Sequence, residues 1–539
     1  LLACPKHFVA YGAAMGGMDY NTVEMSEQTL HEVYLPPFKA AFDAGALSAM
    51  SSFNDINGVP MSANRKLMTG LLRDQWKFRG MVVSDYTADM ELVKHGVAKD
   101  DREATRLAIL AGVDISMQSD LYNLYLVASG DLPMAVVDES VRRVLRTKYL
   151  LGLFDNPYRS LDPEVEKRNT MTPELRAVAR ESARASIVLL KNEGNLLPLP
   201  KSGKKIALIG PFSNDTLNLA GPWAPFAKLD HVVSVEQGMR AALADKSLLT
   251  VTLGSMIEKP MDGGIDAAVA AARAADVVVL AIGEGQDMSG EAQSRTQIVV
   301  PPPQQQLVEA VAKVGKPLVV LLRNGRALAL EGAVRNAQAI VTTWFLGTET
   351  GTAIADVLFG DYSPSGRLPV SFPLDSGQQP YFYNHRTTGR PQGKEGPAFK
   401  ARYREVPNEA LYPFGHGLTY SRFEYGAPQV STDKLPWGGT LTITARITNV
   451  GEREAEEVAQ LYIRDRVASM TRPIRELKGF RKVRLPPGAS TEVQFTLTRR
   501  DLAFYNAQMQ FVAEPGEFDV WISPSATTGV SKRFELLAG

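Results

Sequence analysis

The sequence lacks the residues on which several common chemistries depend. Its 539 residues include one cysteine, Cys4, which excludes an internal disulfide framework, a multi-cysteine metal site and an iron–sulfur cluster. The six histidines show no pair at the spacing of zinc ligands. No Gly-x-Ser-x-Gly elbow or Gly-Lys-Ser/Thr phosphate loop is present, and Gly283-Glu284-Gly285 lacks the later glycines of a dinucleotide fingerprint. Metal, acyl-transfer and nucleotide chemistry therefore find no support in the sequence.

The chain also lacks a net charge and a long hydrophobic run. Lysine plus arginine number 59, as do aspartate plus glutamate, so no overall positive field is available to attract nucleic acid or an anionic membrane. The most apolar stretch, residues 267–282, contains Arg273 and Asp276 and falls short of the roughly 20 residues that span a bilayer. We therefore expect a neutral partner, with neither nucleic acid nor a membrane involved.

Length, composition and the first residues bear on domain organisation. A composition of 45% apolar and 22% charged residues is that of packed globular domains. At roughly 100–200 residues per domain, three or four domains are expected. The chain begins at Leu1 with neither an initiator methionine nor a secretory pattern, and it reads like the interior of a domain. We expect an upstream portion, with any targeting signal, to precede it.

Residues 1–157 alternate short apolar strands with amphipathic helices, which is typical of βαβ units. The predicted strands are residues 2–8, 46–53, 81–85 and 113–117. Ser26 is expected to cap a helix that ends at Ala44, and a second helix is predicted over residues 65–78. A (β/α)8 barrel has eight strands in ~250 residues, so these four strands predict the C-terminal half of such a barrel.

A second domain is predicted over residues 158–375. Thr172 followed by Pro173 indicates the start of a helix that runs to Ser186. Nearly unbroken apolar strands are predicted at residues 205–210, 276–283, 317–322 and 339–345, with connecting helices such as residues 304–314. Such strands are typical of a mostly parallel sheet covered on both faces, so the pattern predicts an α/β sandwich.

The rest of the chain divides into a loop and a β domain. Residues 376–420 are rich in glycine, proline and polar residues without a sustained period, and we interpret them as a connecting loop. Over residues 421–539 apolar and polar residues alternate with period two, and strands are predicted at residues 441–447, 457–463, 491–497 and 516–522. This pattern predicts a fibronectin type III-like β-sandwich.

Carboxylates remain as candidates for catalysis. In a barrel the catalytic side chains lie at the C-terminal ends of strands, and Asp85 ends one of the predicted strands. The structural alternative is that Asp85 caps the following helix. Asp114 lies inside a strand, which favours a structural role, while Lys6 and His7 at another strand end either bind oxygen atoms or are solvated. Position alone leaves these alternatives open.

A series of motifs, in order along nearly the whole chain, resembles glycoside hydrolase family 3, and within it the periplasmic β-glucosidases of Gram-negative bacteria. The motifs are Lys6-His7, Met50 with Phe53-Asn54-x-x-Asn57-Gly58, Val83-Ser84-Asp85, Glu181-Ser182, Ile187-Val188-Leu189-Leu190-Lys191-Asn192, Trp344-x-x-Gly347 with Gly351-x-Ala353, Gly360-Asp361-Tyr362-Ser363-Pro364-Ser365-Gly366-Arg367-Leu368-Pro369 and Tyr412-Pro413-Phe414-Gly415-His416-Gly417-Leu418-Thr419-Tyr420. The resemblance implies the same plan of barrel, α/β sandwich and fibronectin-like domain that the patterns predict.

The resemblance also implies a retaining mechanism in which two carboxyl groups share the work. Asp85 matches the nucleophile of the family. Glu291 matches its acid/base, within the loop of residues 283–295, while Glu284 would support that loop. The residues that would bind the sugar are Lys6, His7, Met50, Phe53 and Tyr86.

The implied activity is that of an exo-acting β-glucosidase that needs no cofactor and no metal. The expected partner is a small β-linked oligosaccharide or glycoside, with self-association into a homodimer as an open alternative. The resemblance implies a periplasmic or secreted location. Two alternatives stay open: a β-xylosidase or arabinosidase of the same family, and a catalytically silent carbohydrate-binding fragment.

Three departures from the family pattern bear on these expectations. The early aspartate and arginine that clamp sugar hydroxyls in the family would lie upstream of Leu1. Tyr86 stands where many members have tryptophan or histidine, and Phe53 where some have tyrosine. Gly290 precedes the predicted acid where close relatives carry a bulkier residue, and we expect it to loosen the loop.

Overall fold

A computed structural model describes residues 2–123, 130, 132–392 and 398–539 of the chain. Residues 393–397 of the predicted connecting loop therefore lie outside the described residues. The chain divides into two compact units, Leu1–Asn169 with Phe504–Phe511 and Thr170–Ala503 with Val512–Gly539. In the part of the chain that is described, no helix combines the length and the apolar character that crossing a membrane requires. The four-part division predicted from the sequence stays a prediction.

The first unit is built on a three-stranded parallel sheet of order β1-β4-β5. Its strands, with the hairpin β2–β3, are β1 (Ser48–Met50), β2 (Asp55–Ile56), β3 (Val59–Pro60), β4 (Met81–Tyr86) and β5 (Ile115–Met117). The helices are α1 (Glu27–Thr29), α2 (Leu35–Asp43), α3 (Asp101–Ala111), α4 (Met134–Leu150) and α5 (Pro163–Asn169), with π-helical segments at Leu30–Tyr34 and Lys66–Gln75. The sheet packs into a core that includes Phe8, Leu72 and Val82.

The helix predicted from Ser26 to Ala44 forms with a change of winding inside it. The Ser26 hydroxyl accepts a hydrogen bond from the Thr29 amide at 3.1 Å, as expected of an N-cap. The turn before α2 is π-helical, and the Leu35 amide bonds to the Leu30 carbonyl. Prolines follow at positions 36 and 37. Because they have no amide hydrogen for the carbonyls one turn earlier, the regular α-helical ladder is interrupted there.

The strand predicted over residues 2–8 is wrong. In the structure this segment makes one isolated parallel bridge, between Phe8 and Ser51, rather than a strand. The Phe8 amide donates to the Met50 carbonyl at 2.7 Å, and the Ser52 amide donates to the Phe8 carbonyl at 2.9 Å. The Pro5 carbonyl also accepts a hydrogen bond from the Met50 amide at 3.3 Å, but the described residues before Phe8 form no further bridge. The segment thus lies beside β1 without continuing the sheet.

The second unit contains a six-stranded sheet of order β6-β11-β10-β9-β7-β8. Its strands are β6 (Val188–Asn192), β7 (Ile206–Ile209), β8 (Leu249–Thr252), β9 (Val277–Gly283), β10 (Leu318–Arg323) and β11 (Ala339–Thr342). All neighbours pair in parallel except β6, which is antiparallel to β11. The predicted strands are found, whereas β6 and β8 were missed.

Helices cover both faces of this sheet, as its fully buried strands require. They are α6 (Pro173–Ser186), α7 (Val235–Ala242), α8 (Gly264–Ala274), α9 (Pro302–Ala312), α10 (Gly332–Asn336) and α11 (Thr350–Leu358). The predicted start of α6 is confirmed, because the Thr172 hydroxyl accepts a hydrogen bond from the Leu175 amide at 3.3 Å. Two apolar clusters form, one on each face of the sheet.

The β-sandwich of the second unit consists of two sheets. One has the order β12-β15-β13 with β18 on β15, and the other the order β14-β22-β21-β16-β17. The strands of these sheets are β12 (Phe423–Tyr425), β13 (Gln429–Val430), β14 (Lys434–Leu435), β15 (Thr440–Asn449), β16 (Ala455–Asp465), β17 (Glu476–Leu485), β18 (Ser490–Thr498), β21 (Gly516–Ser523) and β22 (Lys532–Leu536), whereas β19 (Phe504–Tyr505) and β20 (Phe511–Val512) form a separate hairpin. The alternation in β15 fills the core, since Leu441, Ile443 and Ile447 are buried. Of the strands in these two sheets, β12, β13, β14, β17 and β22 were missed.

The segment Phe504–Phe511 groups with the first unit, although the sequence places it in the β domain. The Tyr505 amide donates to the Glu32 carboxylate at 2.9 Å, and the Gln28 side-chain amide donates to the Tyr505 carbonyl at 2.9 Å. The imidazole of His31 lies 4.8 Å from the Tyr505 ring. These contacts attach the segment to the helical stretch that begins at Ser26.

Candidate functional site

Asp85 lies at the carboxyl end of β4, the central strand of the sheet in the first unit. The residue is 7% exposed. Its Oδ1 accepts a hydrogen bond from the Tyr86 amide at 2.8 Å. Its Oδ2 accepts no hydrogen bond of good geometry from the described residues. The strand end therefore presents a largely buried carboxylate whose Oδ2 atom is itself shielded from solvent.

The structural alternative for Asp85, that it caps the following helix, is wrong. The next helical turn is Met90–Leu92, and its N-cap is Asp89. The Asp89 carboxylate accepts hydrogen bonds from the Met90 amide at 3.1 Å and from the Ser119 hydroxyl at 3.0 Å. Since Asp89 performs the capping, the position of Asp85 has no such explanation.

His7 is brought to Asp85 by the bridge between its neighbour Phe8 and Ser51. Its Nε2 lies 3.2 Å from Oδ2 of Asp85, with 22% of the imidazole exposed. An imidazole with hydrogen on Nε2 at this distance orients the carboxylate. The structure thus joins two of the residues that the sequence predicted for the site.

The other predicted sugar-binding residues of the first unit differ in exposure. Lys6 and Tyr86 are exposed, and Tyr86 directly follows Asp85 at the end of β4. Met50 and Phe53 are half-buried, and Met50 ends β1 beside Val83 of β4. Phe53 and Tyr86 both place an aromatic ring near the strand ends.

Two tyrosines that the sequence analysis missed extend this group of rings. Tyr11 lies 4.8 Å from the His7 ring and 6.1 Å from the Phe53 ring. Tyr20 packs edge-on against Phe53 at 5.3 Å. Aromatic rings of this kind commonly line ligand sites. Both tyrosines stand in a stretch without periodicity, so no sequence signal marked them.

A second carboxyl group, Glu91, was also missed. Burial raises its pKa, and the nearby charges of Asp85 and Asp89 act in the same direction, while His95 and the hydroxyl of Thr87 act against them. Glu91 follows Asp85 by six positions, within the helical turn after β4. Its carboxyl group is therefore part of the electrostatic surroundings of Asp85.

Asp114 has the structural role that its place in the sequence favoured. Its Oδ2 accepts hydrogen bonds from Arg73 at 2.8 Å and from the Val82 amide at 2.9 Å. Its Oδ1 accepts hydrogen bonds from Ser140 at 2.9 Å and from Arg143 at 2.8 Å. With all of these donors, the carboxylate joins β4, α4 and the π-helical segment rather than facing a ligand.

In the second unit Glu284 follows β9 and is fully buried. Its Oε1 lies 2.6 Å from Nη1 of Arg295 and 3.1 Å from Nε of Arg326. Its Oε2 accepts a hydrogen bond from the Gly325 amide at 3.2 Å. A carboxylate surrounded in this way supports the loop and has no free face for catalysis.

Glu291 is exposed and lies in a tight turn, residues 290–293, which is closed by a hydrogen bond from the Gln293 amide to the Gly290 carbonyl at 3.3 Å. Gly290 has a φ of 101°, and a Cβ there would lie 2.9 Å from Cβ of Pro222. This turn therefore needs a glycine, and Gly290 is closely packed rather than loose as expected. Glu291 is presented to solvent at the tip of an anchored turn.

A cavity of about 480 Å³ opens beside this turn within the second unit. One wall is formed by the turn and the segment before it, including Asp287, Ser289 and Glu291. The opposite wall is apolar and includes Pro222 and Trp223, of which Trp223 is 69% exposed. The carboxyl group of Glu291 therefore borders a space that can admit a ligand.

Models of three protein families match the chain. The glycosyl hydrolase family 3 N-terminal domain matches residues 1–147, and the glycosyl hydrolase family 3 C-terminal domain matches residues 187–420. The fibronectin type III-like domain matches residues 457–526. These matches confirm the predicted fold class.

Individual relatives agree with the family models. The periplasmic β-glucosidase of Salmonella typhimurium is 43% identical over 559 residues, which cover 99% of this chain and 73% of the relative. A β-xylosidase of Formosa agariphila is 36% identical, over 98% of this chain and 74% of its own length. The crystal structure of a β-glucosidase from Listeria innocua in complex with glucose superposes with a TM-score of 0.94 at 39% identity, over 99% of this chain and 74% of that one.

Proposed function

The chain belongs to glycoside hydrolase family 3, and on that premise we propose that it is a retaining exo-β-glycosidase, a β-glucosidase that releases terminal β-D-glucosyl residues from oligosaccharides or glycosides. The proposal rests on the position of Asp85. This carboxylate is buried at the end of β4, lies 3.2 Å from Nε2 of His7 and does not cap a helix. The carbohydrate class of the substrate agrees with the glucose held by the structure from Listeria innocua.

In this proposal Asp85 is the nucleophile. One of its oxygens attacks the anomeric carbon, the bond to the leaving oxygen breaks, and a covalent glycosyl-enzyme forms. The Tyr86 amide on Oδ1 fixes the orientation of the carboxylate. Nε2 of His7 lies 3.2 Å from Oδ2 and contacts the carboxylate on its other side.

Glu291 is the general acid and base of the proposal. It gives a proton to the leaving oxygen and then takes one from the water that hydrolyses the glycosyl-enzyme, which restores both carboxyl groups. Its exposure and the adjoining cavity of about 480 Å³ support this role. Glu284 is the alternative carboxylate in this loop, and its ion pairs with Arg295 and Arg326 exclude it from such work.

The residues Lys6, His7, Met50, Phe53 and Tyr86 are proposed to bind the sugar. The imidazole and ammonium groups suit sugar hydroxyls, and the rings of Phe53 and Tyr86 suit the apolar C–H faces of a pyranose. The resemblance and the positions of these residues near the ends of β1 and β4 support the assignment.

Location and assembly are further parts of the proposal. The relative from Salmonella typhimurium is a periplasmic enzyme, so a periplasmic or secreted location is proposed for this chain too. Self-association into a homodimer is tested by sedimentation equilibrium of the purified protein.

A β-xylosidase or arabinosidase is the second candidate, because the relative from Formosa agariphila is a β-xylosidase. The two candidates differ in the group at C5 of the sugar, which is a hydroxymethyl in glucose and is missing in xylose. Comparing kcat/KM on 4-nitrophenyl β-D-glucoside, β-D-xyloside and α-L-arabinoside separates them. The glucoside is expected to be the best substrate, and a higher kcat/KM on a pentoside would favour the second candidate.

The stereochemical course tests the mechanism itself. Proton NMR of the first turnovers should show β-glucose appearing before mutarotation produces the α anomer. Initial release of α-glucose would contradict a retaining mechanism. Hydrolysis of none of these glycosides would contradict the proposed activity and favour the catalytically silent alternative.

A further inference from the structure

The loop that carries Glu291 is attached to the sheet by two arginines. Arg295 reaches Oε1 of Glu284 with Nη1 at 2.6 Å and donates from Nη2 to the Val299 carbonyl at 3.1 Å. Arg326 lies on the turn after β10, with its Nε 3.1 Å from the same Oε1. Glu284 follows β9, which pairs with β10 in parallel. The buried carboxylate of Glu284 thus orients both guanidinium groups. It does so at the carboxyl ends of the neighbouring strands β9 and β10.

Arg326 bridges the two sides of the turn that holds Glu291. Its Nη2 donates to the Met288 carbonyl, and it also donates to the Gln293 carbonyl at 3.0 Å. Met288 precedes the turn of residues 290–293, and Gln293 ends it. One guanidinium group therefore fixes the chain on both sides of Glu291.

Close backbone packing leaves this turn little room to move. A Cβ at Gly325, the residue before Arg326, would lie 2.0 Å from Oγ of Ser289. On the other side, a Cβ at Gly290 would lie 2.9 Å from Cβ of Pro222. The two residues that precede Glu291 are thus packed against the β10 turn and against the segment that includes Pro222.

The chemistry of arginine suits this arrangement better than that of lysine. The planar guanidinium forms an ion pair with Glu284, whose Oε1 lies 3.1 Å from Nε, while Nη2 donates to the two carbonyls, so a single side chain makes the whole set of contacts. Burial lowers the pKa of Arg326, and the charge of Glu284 opposes that effect. A lysine carries a single nitrogen on a flexible chain, so it cannot contact the three partners in one fixed geometry.

We propose that Arg326 is a positioning residue for catalysis, which acts by holding the turn of residues 290–293 so that the Glu291 carboxyl group is in place for proton transfer. The proposal rests on the proposed role of Glu291 as acid and base. Arg326 itself touches no reacting atom. Glu284 in turn orients Arg326, which explains why a fully buried carboxylate stands so close to the proposed acid in the sequence.

The test compares Arg326→Lys with Glu291→Ala on aryl β-glucosides whose leaving groups range from 2,4-dinitrophenol to phenol. Dinitrophenolate leaves without protonation, whereas phenolate needs the acid. We expect Arg326→Lys to lower kcat/KM about tenfold or more on the phenyl glucoside and by less than about twofold on the dinitrophenyl glucoside. Arg335→Lys, an exposed arginine of α10, is the matched control and should leave both values unchanged.

A double-mutant cycle provides a readout that a merely structural role would not move. If Arg326 acts through Glu291, adding Arg326→Lys to Glu291→Ala should cause no further loss on the phenyl glucoside. The same fold loss in both backgrounds would overturn the proposal, as would an equal loss on every leaving group. If Arg326→Lys does not fold, Gly325→Ala displaces Ser289 while keeping the ion pair, and it should reproduce the dependence on the leaving group.

Failure of the proposed function is distinguishable from failure of this inference. If Glu291→Ala shows no dependence on the leaving group, the assignment of the acid is overturned, and the role of Arg326 is overturned with it. If Glu291→Ala shows the dependence and Arg326→Lys does not, only the positioning role is overturned.

Discussion

Nε2 of His7 lies 3.2 Å from Oδ2 of Asp85, the oxygen that accepts no hydrogen bond of good geometry from the described residues. His7 comes from a segment that bridges to Ser51, and Asp85 from the end of β4. Asp85 is nearly buried, lies beside an imidazole and does not cap a helix, and this favours a functional role over a structural one. This relationship is the basis of the first prediction.

Replacing Asp85 with alanine should abolish turnover and leave the fold intact. No other group would form the glycosyl-enzyme, so kcat should fall by about 10⁴-fold or more on an aryl β-glucoside. Asp74→Ala, which removes an exposed aspartate of the same unit, is the control and should keep its activity. Circular dichroism checks the fold of both variants. Hydrolysis by Asp85→Ala at a near-normal rate would remove Asp85 from the nucleophile role.

Replacing Glu284 with glutamine should reduce stability. The carboxylate is fully buried between Arg295 and Arg326, and its loss leaves two guanidinium groups facing each other without a counter-charge. Removing one partner of a buried ion pair costs about 3 kcal/mol. Glu291→Gln is the matched comparison, since an exposed side chain should change stability by less than about 0.5 kcal/mol. Urea unfolding of both variants measures the difference, and equal midpoints would contradict it.

Replacing Asp465 with asparagine should stabilise the protein at neutral pH. Burial raises the pKa of this half-buried carboxyl at the end of β16 to about 6, and Glu514 and Glu476 act in the same direction against Arg472. The pKa of Asp465 in the folded protein lies above 3.8, its value in the unfolded chain. The contribution of this carboxyl group to the stability of the fold is therefore fully present below pH 3.8 and is lost as the pH rises through about 6.

The gain from Asp465→Asn should therefore be larger at pH 7.5 than at pH 4.5. Solvent screening of a partly exposed group limits it to about 1 kcal/mol at pH 7.5. Thermal unfolding at the two pH values measures it. Asp433→Asn replaces an exposed aspartate of the same sandwich and is the control. It removes only a surface ion pair with Lys532, so it should show no such pH dependence. A larger gain in stability at pH 4.5 than at pH 7.5 would contradict the predicted direction of the pH dependence.

Elements with a strong local signal were predictable from the sequence. Thr172 and Pro173 marked the start of α6, and the alternation in residues 441–447 marked β15. β17 was missed because it is an edge strand with a burial pattern that does not alternate, and its lysines and arginines are typical of a protected edge. Its register is set by pairing with β16, which is a tertiary effect.

The candidate site was predictable only in part, for a similar reason. Asp85 ends a clear strand, and Glu291 was located by resemblance. The contacts of Glu284 with Arg326 depend on the parallel pairing of β9 and β10, which places residues 42 positions apart in the sequence side by side. The rings of Tyr11 and Tyr20 likewise reach Phe53 through the tertiary fold. No periodicity in the sequence encodes such contacts.

The last prediction concerns the second half of the reaction and Glu291. Glu291→Ala should slow hydrolysis of the glycosyl-enzyme, because no base remains to activate water. On 2,4-dinitrophenyl β-glucoside the first step needs no acid, so the intermediate should accumulate and a burst of dinitrophenolate should precede slow turnover.

Azide is the chemical probe for this loss. A small anion needs no base to attack the glycosyl-enzyme, so azide should restore turnover of Glu291→Ala about tenfold or more and yield β-glucosyl azide, the product of a second inversion. Glu284→Gln keeps the Glu291 carboxylate, so any burst or rescue that it shows through displacement of Arg326 should be much smaller than that of Glu291→Ala. Rescue at position 284 and none at position 291 would mean that the acid and base lies seven residues earlier than proposed. The product is identified by NMR, which also distinguishes rescue from a general effect of salt, since chloride at equal ionic strength should restore nothing.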